Sequence, residues 1–512
     1  MVMELSQWFV PALCVFVLIC LSTLILRQDG KRRTLPPGPP TLPLIGHLHL
    51  LKPPIHRTLQ KLSDKYGPVM FLRFGALKVL VVSSPSAVEE CFTKNDIVFA
   101  NRPFTLAGKH LNYDYKTVGF APYGDHWRGL RRLMNQELFS VSRLAMLSDV
   151  RVDEVLLLVK QLFGKSGGSW MKVELRHRFV DLIFDVTLRM ISGKRYYGTD
   201  VVSKEAMDFK NMMDEIFELF NPGVDDLFPI VQRLDLFGVQ RKMKRLMKKQ
   251  DSFLQNLLDE HRRKRSSSAS NGSNQEKKTM TLFEVMLSLQ ESDPVFYSDT
   301  NIKGIAAAVV AAGTETSAST MEWALSNLLN HPEAMEKVKA EIDTYVGKDR
   351  FMDESDMPKL TYLQNVVLET LRLYPAGALG VPHMNSEDCT ISGYHVPKGT
   401  MLMVNLWVLH KDPKHWKDAT KFMPERFENG QGSEGYNLIP FGAGRRQCPG
   451  ANLAKRIMAL TIGSLVQAFE WKRIGDHEIN MMEGDGLTLP RLEPLIALIR
   501  PRQEMMNLLS SL

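Results

Sequence analysis

The segment from Phe441 to Gly450, FGAGRRQCPG, decides the fold of this chain. Its only cysteine, Cys448, comes directly before a predicted helix, where the helix dipole and free backbone N–H groups stabilise a thiolate. The two arginines before it add positive potential, and the glycines let the backbone pack closely against a flat group. A lone cysteine is most often a small buried hydrophobe, but these surroundings indicate a cysteine with a chemical role.

The Gly442-x-Gly444 pair in the same segment is similar to the start of a dinucleotide-binding loop. That interpretation is disfavoured because Gln447 occupies the position of the third glycine and no strand–helix unit precedes it. Five cysteines, an odd number, argue against a disulfide framework in a chain of this length, and no pair has zinc-site spacing. The other four are Cys14, Cys20, Cys91 and Cys389.

Length and composition restrict the class of protein. The chain has 512 residues, of which 44% are hydrophobic and 24% charged. These are ordinary globular values, and they exclude a disordered, collagen-like or many-span membrane protein as a whole. The net charge of +7 is too small for a dedicated nucleic-acid binder of this size, so no nucleic-acid partner is expected.

The N-terminus is predicted to anchor the protein in a membrane. No charged residue lies between Trp8 and Leu26, and a helix of that length spans roughly 28 Å, close to the hydrocarbon thickness. Basic residues follow the span from Arg27 onward, so the rest of the chain is expected to stay cytosolic, whereas a cleaved signal peptide would need them before it. We predict a single-pass signal anchor in residues 1–33, a stiff proline-rich hinge in residues 34–40 and one large domain in residues 41–512.

The large domain is predicted to be mainly α with a small β-sheet region. A proline-free stretch from Thr300 to Leu329 predicts a helix long enough to cross a domain. Apolar periodicity predicts two further helices, over Leu360–Tyr374 and after Gly450. Short β-rich runs predict a hairpin and one further strand. The predicted strands are Val69–Phe74, Lys78–Val82 and Thr400–Asn405.

Residues Arg262–Lys278 interrupt this order with a basic run and a Ser/Asn/Gly tract, which predict a solvated loop between two helices. A nuclear localisation signal is another interpretation of the basic run, which the membrane anchor disfavours. Asn271 opens a glycosylation sequon that a cytosolic domain would leave unmodified.

The pattern F-x-x-G-x-R-x-C-x-G around Cys448 resembles the signature of the cytochrome P-450 superfamily, and the resemblance extends over the whole chain. It implies the cytochrome P-450 fold and a heme b cofactor, with Cys448 as the axial ligand of the heme iron and Phe441 and Arg446 beside the cofactor. The anchor and the proline hinge are similar to those of plant microsomal members. This implies a single-pass protein of the endoplasmic reticulum membrane whose heme-thiolate catalytic domain faces the cytosol and contacts membrane lipid.

Two further motifs follow the order of that family. Glu369-x-x-Arg372 matches its E-x-x-R motif, and the resemblance implies a buried structural triad with Arg426 of the later Pro-Glu-Arg-Phe segment. An isolated pair of this kind is usually a surface ion pair of little energetic value. Trp127 and Arg131 match its W-x-x-x-R motif, whose arginine reaches a heme propionate.

The helix that carries Trp127 and Arg131 is one that Asp125 could cap. An arginine suits a propionate because it stays charged and binds a carboxylate with a planar fork. His383 resembles a further propionate contact, although an ordinary loop histidine is an equally good interpretation.

The segment Ala312–Ser317, AGTETS, resembles the acid–alcohol motif of the family. The resemblance implies that Thr316 hydrogen-bonds dioxygen and that Glu315 supplies protons through water. It also implies a kink at Gly313 that makes room for dioxygen. The family more often has aspartate at the position of Glu315. The alternative is a helix with small polar residues that are satisfied locally.

The resemblance implies an NADPH- and O2-dependent heme-thiolate monooxygenase, in which the thiolate supplies electron density for O–O cleavage. No flavin-binding segment is visible in the sequence, so electrons would come from a separate NADPH–cytochrome P-450 reductase. Asn101–Pro103 and Pro122–Arg128 resemble a plant subfamily that acts on isoflavones, flavones, lignans, indolic compounds and terpenoids. A hydrophobic plant specialised metabolite is therefore expected as substrate, a phenylpropanoid-type aromatic first and a terpenoid second.

By family position the substrate pocket draws on five largely apolar segments. The small side chains of Ala376–Gly380 depart from the bulkier pattern of the family and would enlarge the cavity above the heme. The five segments are Arg102–Val118, Phe209–Phe220, Ala306–Ala312, Ala376–Val381 and Gly486–Leu489.

Two other functions are compatible with a heme-thiolate signature. An isomerase or dehydratase that uses a preoxidised substrate would need no reductase and no acid–alcohol pair, so Glu315 and Thr316 speak against it. A non-catalytic membrane heme-binding protein is the second. It would shift its heme spectrum with a hydrophobic ligand without consuming that ligand.

Overall fold

The computed structural model describes residues 34–196, 204–270, 280–432 and 434–512. The predicted anchor in residues 1–33 and the sequon at Asn271 lie outside these described residues. Among the helices of the described ranges, none has the length and apolar character needed to cross a membrane.

The described chain is mainly helical, as predicted, and its helices are numbered in chain order. They are α1 (Ile55–Tyr66), α2 (Pro85–Phe92), α3 (Leu106–Leu111), α4 (Asp125–Glu137), α5 (Val141–Met146), α6 (Ser148–Ser166), α7 (Arg176–Ser192), α8 (Lys204–Glu218), α9 (Val224–Leu227), α10 (Pro229–Leu234), α11 (Val239–Ser270), α12 (Leu282–Ser292), α13 (Asp299–Asn330), α14 (Pro332–Tyr345), α15 (Thr361–Leu373), α16 (Leu406–Leu409), α17 (Ala451–Ala468) and α18 (Met506–Ser510).

Three small sheets accompany the helices. The largest has the strand order β1-β2-β7-β4, a second has the order β3-β9-β8, and β5 pairs with β6. The predicted hairpin is confirmed as β1 and β2, and the predicted third strand as β7, which runs parallel to β2 with Lys78 opposite Thr400. The strands are β1 (Val69–Phe74), β2 (Leu77–Val82), β3 (Met171–Glu174), β4 (His383–Met384), β5 (Cys389–Ile391), β6 (Tyr394–Val396), β7 (Thr400–Val404), β8 (Phe469–Lys472) and β9 (Ile496–Pro501).

Helix α13 forms the centre of the helical core. It packs on α7, α11, α15 and α17, and nearly every residue of its first and last thirds is buried. A helix that is buried all round needs apolar or small residues on every face, which is the pattern of this sequence. Between these thirds the burial lapses over residues Ala311–Thr316, where Ala312 is exposed. Unfilled space therefore lies beside the middle of a core helix.

Two local predictions were wrong. Asp125 does not cap α4; Gly124 holds the N-cap position and Asp125 is the first helical residue, paired with Arg128. Residues Arg262–Ser270, predicted as loop, continue helix α11. Arg262 is held there by Asp299 and by Gln290, which accepts a hydrogen bond at 2.9 Å. Those partners lie on other elements, so the local composition of the segment gives no sign of them.

Candidate active site

The Phe441–Gly450 segment is folded back on itself before helix α17. The Cys448 N–H donates to the Phe441 carbonyl at 2.9 Å, and the Gly442 N–H donates to the Ile439 carbonyl at 2.9 Å. Gly442 has φ +73°, which disfavours other residues, and a Cβ on it would meet no atom within 4 Å. The loop thus presents a bare stretch of backbone to an open space, as a flat ligand requires.

The Cys448 side chain faces that space. Burial raises the pKa of its thiol, while the Gly450 N–H and the Arg131 guanidinium act in the opposite direction. Its surface is nonetheless exposed, a combination expected of a side chain that borders a cavity inside the protein. An N–H donor and a cation beside the sulfur are what a thiolate ligand needs.

The middle of helix α13 borders unfilled space as well. Helices α13 and α17 pack on each other, and the Cys448 loop directly precedes α17. The Thr316 hydroxyl donates to the Ala312 carbonyl at 2.8 Å, which leaves its oxygen as an acceptor. Burial, with the Asp214 carboxylate second, raises the pKa of Glu315, so this group holds a proton more readily than a surface glutamate.

The kink expected at Gly313 is not a break in the helix, since α13 is helical from Asp299 to Asn330. The Thr314 and Thr316 hydroxyls each bond to the carbonyl four residues earlier, at 2.8 Å. Such bonds satisfy the hydroxyl groups without interrupting the helix. Gly313 itself leaves space: a Cβ there would approach only the Thr187 hydroxyl, at 3.8 Å.

Three arginines, Arg102, Arg131 and Arg446, lie near one another, and Arg131 lies near Cys448. Arg446 donates to the Ala100, Val118 and Ala121 carbonyls at 2.6, 3.1 and 2.5 Å. Burial, with Arg102 and Arg131 next, lowers its pKa to about 9. Within the described ranges no carboxylate pairs with these three arginines. Like charges held together in this way are expected to bind an anionic group.

Trp127 and His383 support this arginine cluster. The guanidinium of Arg446 lies 4.4 Å from the Trp127 ring centroid, and the indole N–H donates to the Val118 carbonyl at 3.1 Å. A His383 ring nitrogen lies 2.8 Å from the Phe99 carbonyl. Burial, followed by the Arg102 charge, lowers the pKa of His383 well below its usual value, which favours the neutral form of its ring.

Arg102 is the residue that sequence reasoning missed as part of this cluster. It donates to the Val381 and Pro382 carbonyls, both at 2.8 Å. Its Nε is buried and lacks a hydrogen-bond partner among the described residues, a state that a missing anionic ligand would explain. Its sequence position indicated a subfamily and a segment of the substrate pocket but no contact with the cofactor, because nothing local relates it to Arg446.

The predicted triad is formed. Arg372 donates to both Glu369 carboxylate oxygens, at 2.7 and 2.8 Å, and Arg426 donates to one of them at 2.9 Å. Arg372 also reaches the His410 and Ala419 carbonyls at 2.9 and 2.7 Å. The Glu369 and Arg372 side chains are fully buried. These contacts join helix α15 to the segment after α16, and they place the triad in the core rather than at the surface.

Predicted pocket segments meet at Leu489. Its N–H donates to the Ala376 carbonyl at 3.0 Å, and its carbonyl accepts from the Trp323 indole at 2.7 Å and the Ser319 hydroxyl at 3.1 Å. Helix α13 therefore fixes the position of Gly486–Leu489 against Ala376–Val381. Nearer the start of α13, a Cβ on Gly304 would meet Thr117 and Tyr113 at 3.5 and 3.6 Å, so the Arg102–Val118 segment also borders this helix.

These features fit one cofactor. They match a planar, anionic group that carries a thiolate-binding metal. The metal suits the thiol, the flat face suits the bare glycine surface, and the negative charge suits the arginines. Heme has this chemistry, with propionates for the arginines and iron for the sulfur. Glu315 and Thr316 of α13 carry a carboxyl and a hydroxyl group on the stretch of that helix where burial lapses.

Comparison with known proteins agrees with this fit. The family model for Cytochrome P450 matches residues 36–498. The chain is 46% identical to an isoflavone 2'-hydroxylase of Medicago truncatula, covering 93% of this chain and 94% of the relative. It is 47% identical to the (+)-piperitol/(+)-sesamin synthase of Sesamum radiatum, covering 98% of each. A zebra fish cytochrome P450 solved with progesterone superimposes with a TM-score of 0.74 at 27% identity, covering 88% of this chain and all of that one.

The match thus spans the Cys448 loop, the triad and helix α13 together. The chain belongs to the cytochrome P450 family, and it is a heme-iron monooxygenase.

Proposed function

We propose that this monooxygenase hydroxylates, or otherwise oxidises, a hydrophobic phenylpropanoid-type aromatic of plant specialised metabolism, with a terpenoid as second choice. The relatives carry the proposal, because one is named for an isoflavone and another for lignan products. The lapse of burial at Ala312 and the small side chains at Ala376 and Gly377 support a bulky, apolar substrate.

Each residue of the site has a proposed role. Cys448 is the proposed iron ligand, with the Gly450 N–H and the Arg131 charge favouring its thiolate form. Arg131 and Arg446 would bind the propionates, with Arg102 as a third arginine beside them. Heme, when bound, supplies the activation of dioxygen. Phe441 would lie beside the cofactor through its place in the Cys448 loop.

Glu315 and Thr316 are the proposed proton-handling pair. Burial keeps Glu315 ready to hold a proton, and Thr316 offers an acceptor oxygen because its own proton is engaged by Ala312. Positioned acid–base groups of this kind contribute about 10²–10⁴-fold in general. An isomerase or dehydratase acting on a preoxidised substrate would not need them, which favours the monooxygenase over that alternative and over a non-catalytic heme-binding protein.

We further propose that residues 1–33 anchor the protein in the endoplasmic reticulum membrane, that residues 34–40 are a hinge and that residues 41–512 form the cytosolic catalytic domain. Pro37 accepts a hydrogen bond from the Phe71 N–H at 3.0 Å, which supports a hinge held against strand β1. Exposed apolar residues follow at Leu42, Leu44 and Ile45. The electron donor would be a membrane-bound NADPH–cytochrome P450 reductase.

The central experiment is turnover by the full chain in microsomes that contain the reductase, with a panel of isoflavonoids, flavones, lignans and terpenoids. Products are identified by mass spectrometry with and without NADPH. We expect an oxygenated aromatic product that requires NADPH and reductase. Turnover without either would favour the isomerase or dehydratase, and binding spectra without turnover of any compound would favour the non-catalytic protein.

Ligation and anchoring have separate tests. Cys448→His should lose the red-shifted carbon-monoxide band of a thiolate-bound ferrous heme, and retention of that band would exclude Cys448 as ligand.

Deletion of residues 1–33 should move the protein out of the membrane pellet. Complete retention after an alkaline carbonate wash would show that the anchor lies elsewhere.

A further inference from the structure

The last part of helix α11 carries a basic run that the monooxygenase reaction does not use. Residues 262–265 are Arg-Arg-Lys-Arg, and Ser266 and Ser267 follow directly. All the side chains from Arg263 to Ser267 are exposed. Serine is a weak helix former, so a helix end with a purely structural role gains nothing from two serines in this place.

The four cations of the run differ in their partners. Three of them pair with carboxylates, whereas Arg263 forms no ion pair with any residue in the described part of the chain. Arg263 is therefore the cation that a carboxylate of another protein can bind without displacing a partner. The three pairs are Arg262 with Asp299, Lys264 with Glu260 and Arg265 with Glu291, at 2.5, 2.9 and 2.8 Å.

The hydroxyl groups of the two serines are held by the helix backbone. Ser266 donates to the Arg262 carbonyl at 3.0 Å, and Ser267 donates to the Lys264 carbonyl at 2.8 Å. Helix α11 ends at Ser270, about one turn beyond Ser266. The last turn of a helix opens at a low free-energy cost, because few hydrogen bonds fix it. Another protein can therefore bind this segment in an extended form.

We propose that Ser266 is phosphorylated by a serine kinase that selects an arginine three residues before its target, which here is Arg263. Kinases of this class distinguish substrates by charge patterns, and a carboxylate binds the arginine fork with paired hydrogen bonds. In the reaction the Ser266 Oγ forms a bond to the γ-phosphorus of ATP, the bond to the ADP oxygen breaks, and a base of the kinase takes the hydroxyl proton. The proposal rests on the cytosolic orientation proposed above, because the kinase and its ATP are cytosolic.

The phosphate would act on the junction between α11 and α13. It adds a charge of about −1.5 to −2 and three acceptor oxygens. Because Ser266 lies one turn after Arg262 and helix side chains lean toward the N-terminus, the phosphate comes within reach of Arg262 and Arg263. Arg262 donates to both oxygens of Asp299, the first residue of α13. The phosphate therefore competes with Asp299 for Arg262 and loosens the start of the helix that carries Thr316.

The first test is phosphorylation of the purified full chain in detergent. The chain is incubated with Mg·ATP and the cyclic-AMP-dependent kinase, which selects arginine before serine, and mass spectrometry locates the added phosphoryl group. We expect it on Ser266. Ser266→Ala should abolish the modification and Ser267→Ala should leave its rate unchanged. Modification of other residues only, or no modification of the parent, would overturn the site.

A matched pair of variants tests the role of Arg263. Arg263→Gln should lower the kcat/KM of the kinase for this chain by about ten-fold or more, since a hydrogen bond to a charged group contributes at least that factor. Arg265→Gln removes the same charge from a residue that is already paired, and it should change kcat/KM by no more than about two-fold. The carbon-monoxide spectrum verifies that both variants are folded. An equal loss in the two variants would show general attraction by charge and overturn the selection of Arg263.

Hydrogen exchange tests the competition for Arg262. The Ile302 N–H donates to the Ser298 carbonyl at 3.0 Å in the first turn of α13. In the phosphorylated chain this amide should exchange about five-fold faster, which is the factor that a half-exposed ion pair can contribute. The amides of Trp323 and Leu325, in the buried last third of α13, are the internal control and should not change. Unchanged exchange at Ile302 would overturn the effect on α13.

Intact microsomes separate this site from the proposed orientation. Kinase and ATP added outside the vesicles should modify Ser266 in the full chain without detergent. Modification only after detergent is added would overturn the cytosolic orientation and, with it, a kinase site in the cell. Absence of modification in the purified chain would overturn the phosphorylation site alone, since that measurement does not depend on the orientation in the membrane.

Discussion

Glu369 and Arg426 meet inside the domain although 57 residues separate them in sequence: the Arg426 Nε lies 2.9 Å from a Glu369 carboxylate oxygen. The same oxygen accepts Arg372 at 2.8 Å and the Met423 N–H at 2.9 Å. A single carboxylate therefore pairs with two guanidinium groups and orders a loop, in a place from which water is largely excluded.

Replacing this carboxylate should be costly. Glu369→Gln leaves the charges of Arg372 and Arg426 buried without a counter-charge, and breaking a buried pair destabilises by about 3–5 kcal/mol. Denaturant unfolding of the holoprotein measures the loss. The control is Glu425→Gln, which removes a half-exposed partner of Lys337 and should cost no more than about 1 kcal/mol. Equal midpoints for the two variants would contradict a stabilising role of the triad.

Arg446→Gln should weaken heme retention. The change removes a charge from the arginine cluster and leaves the Ala100 and Ala121 carbonyls without their donors. Loss of a residue that supports a metal centre costs about 10–100-fold in affinity in other proteins. Heme transfer to apomyoglobin measures the change, and the neighbouring Arg445→Gln, whose side chain is exposed beside Asp96, should retain heme like the parent. Parental retention by Arg446→Gln would remove it as a heme contact.

Thr316→Ala should uncouple NADPH oxidation from product formation. The variant loses the hydroxyl that borders the space beside Ala312 but little volume, so the carbon-monoxide band and substrate binding should persist. Product formation should fall toward the lower end of about 10²–10⁴-fold, because water can replace part of the proton path. Hydrogen peroxide should account for the missing electrons. Thr314→Ala, which removes an equivalent helix hydrogen bond, is the control; parental coupling in Thr316→Ala would refute the assigned role.

Glu483→Gln should lose stability in a pH-dependent way. Burial alone would raise the pKa of Glu483, but hydrogen bonds from His56 and Arg57 outweigh it and lower this pKa to about 2. A carboxyl group whose pKa is lower in the folded than in the unfolded protein stabilises the fold at pH values above its unfolded pKa of about 4.5. That contribution is lost as the pH falls toward 2. The free energy of unfolding of the parent should exceed that of the variant by about 3 kcal/mol at pH 7. This difference should narrow below pH 4.5. A constant difference across this range would exclude ionised Glu483 as its source.

Local patterns predicted the elements of this domain better than its tertiary pairings. The long helix and the β1–β2 hairpin were predictable because apolar spacing and proline positions are local properties. The parallel pairing of β2 with β7 was not, because it joins strands whose sequences carry no sign of each other. The continuation of α11 past Arg262 was not predicted for the same reason, since Asp299 and Gln290 belong to other helices.

The candidate site shows the same contrast between features set by local sequence and features set by tertiary contacts. Cys448, Glu369 and Thr316 were predicted from motifs in which neighbouring residues identify one another. The place of Arg102 in the arginine cluster was not predicted, because the cluster depends on Arg446 and Arg131, which only the folded chain brings near Arg102. The lowered pKa of His383 likewise follows from its burial and from the charges of Arg102 and Arg446, and not from its own segment.

The pairing of Lys78 with Thr400 has a consequence for synthesis of the protein. Strands β1 and β2 leave the ribosome early, yet the edge of β2 stays open until β7 has been made. An open, apolar strand edge is a template for wrong partners, and chains of this size fold through partly exposed states. The growing chain must therefore be shielded for most of its translation, and a message cut short before β7 would release a product prone to aggregate.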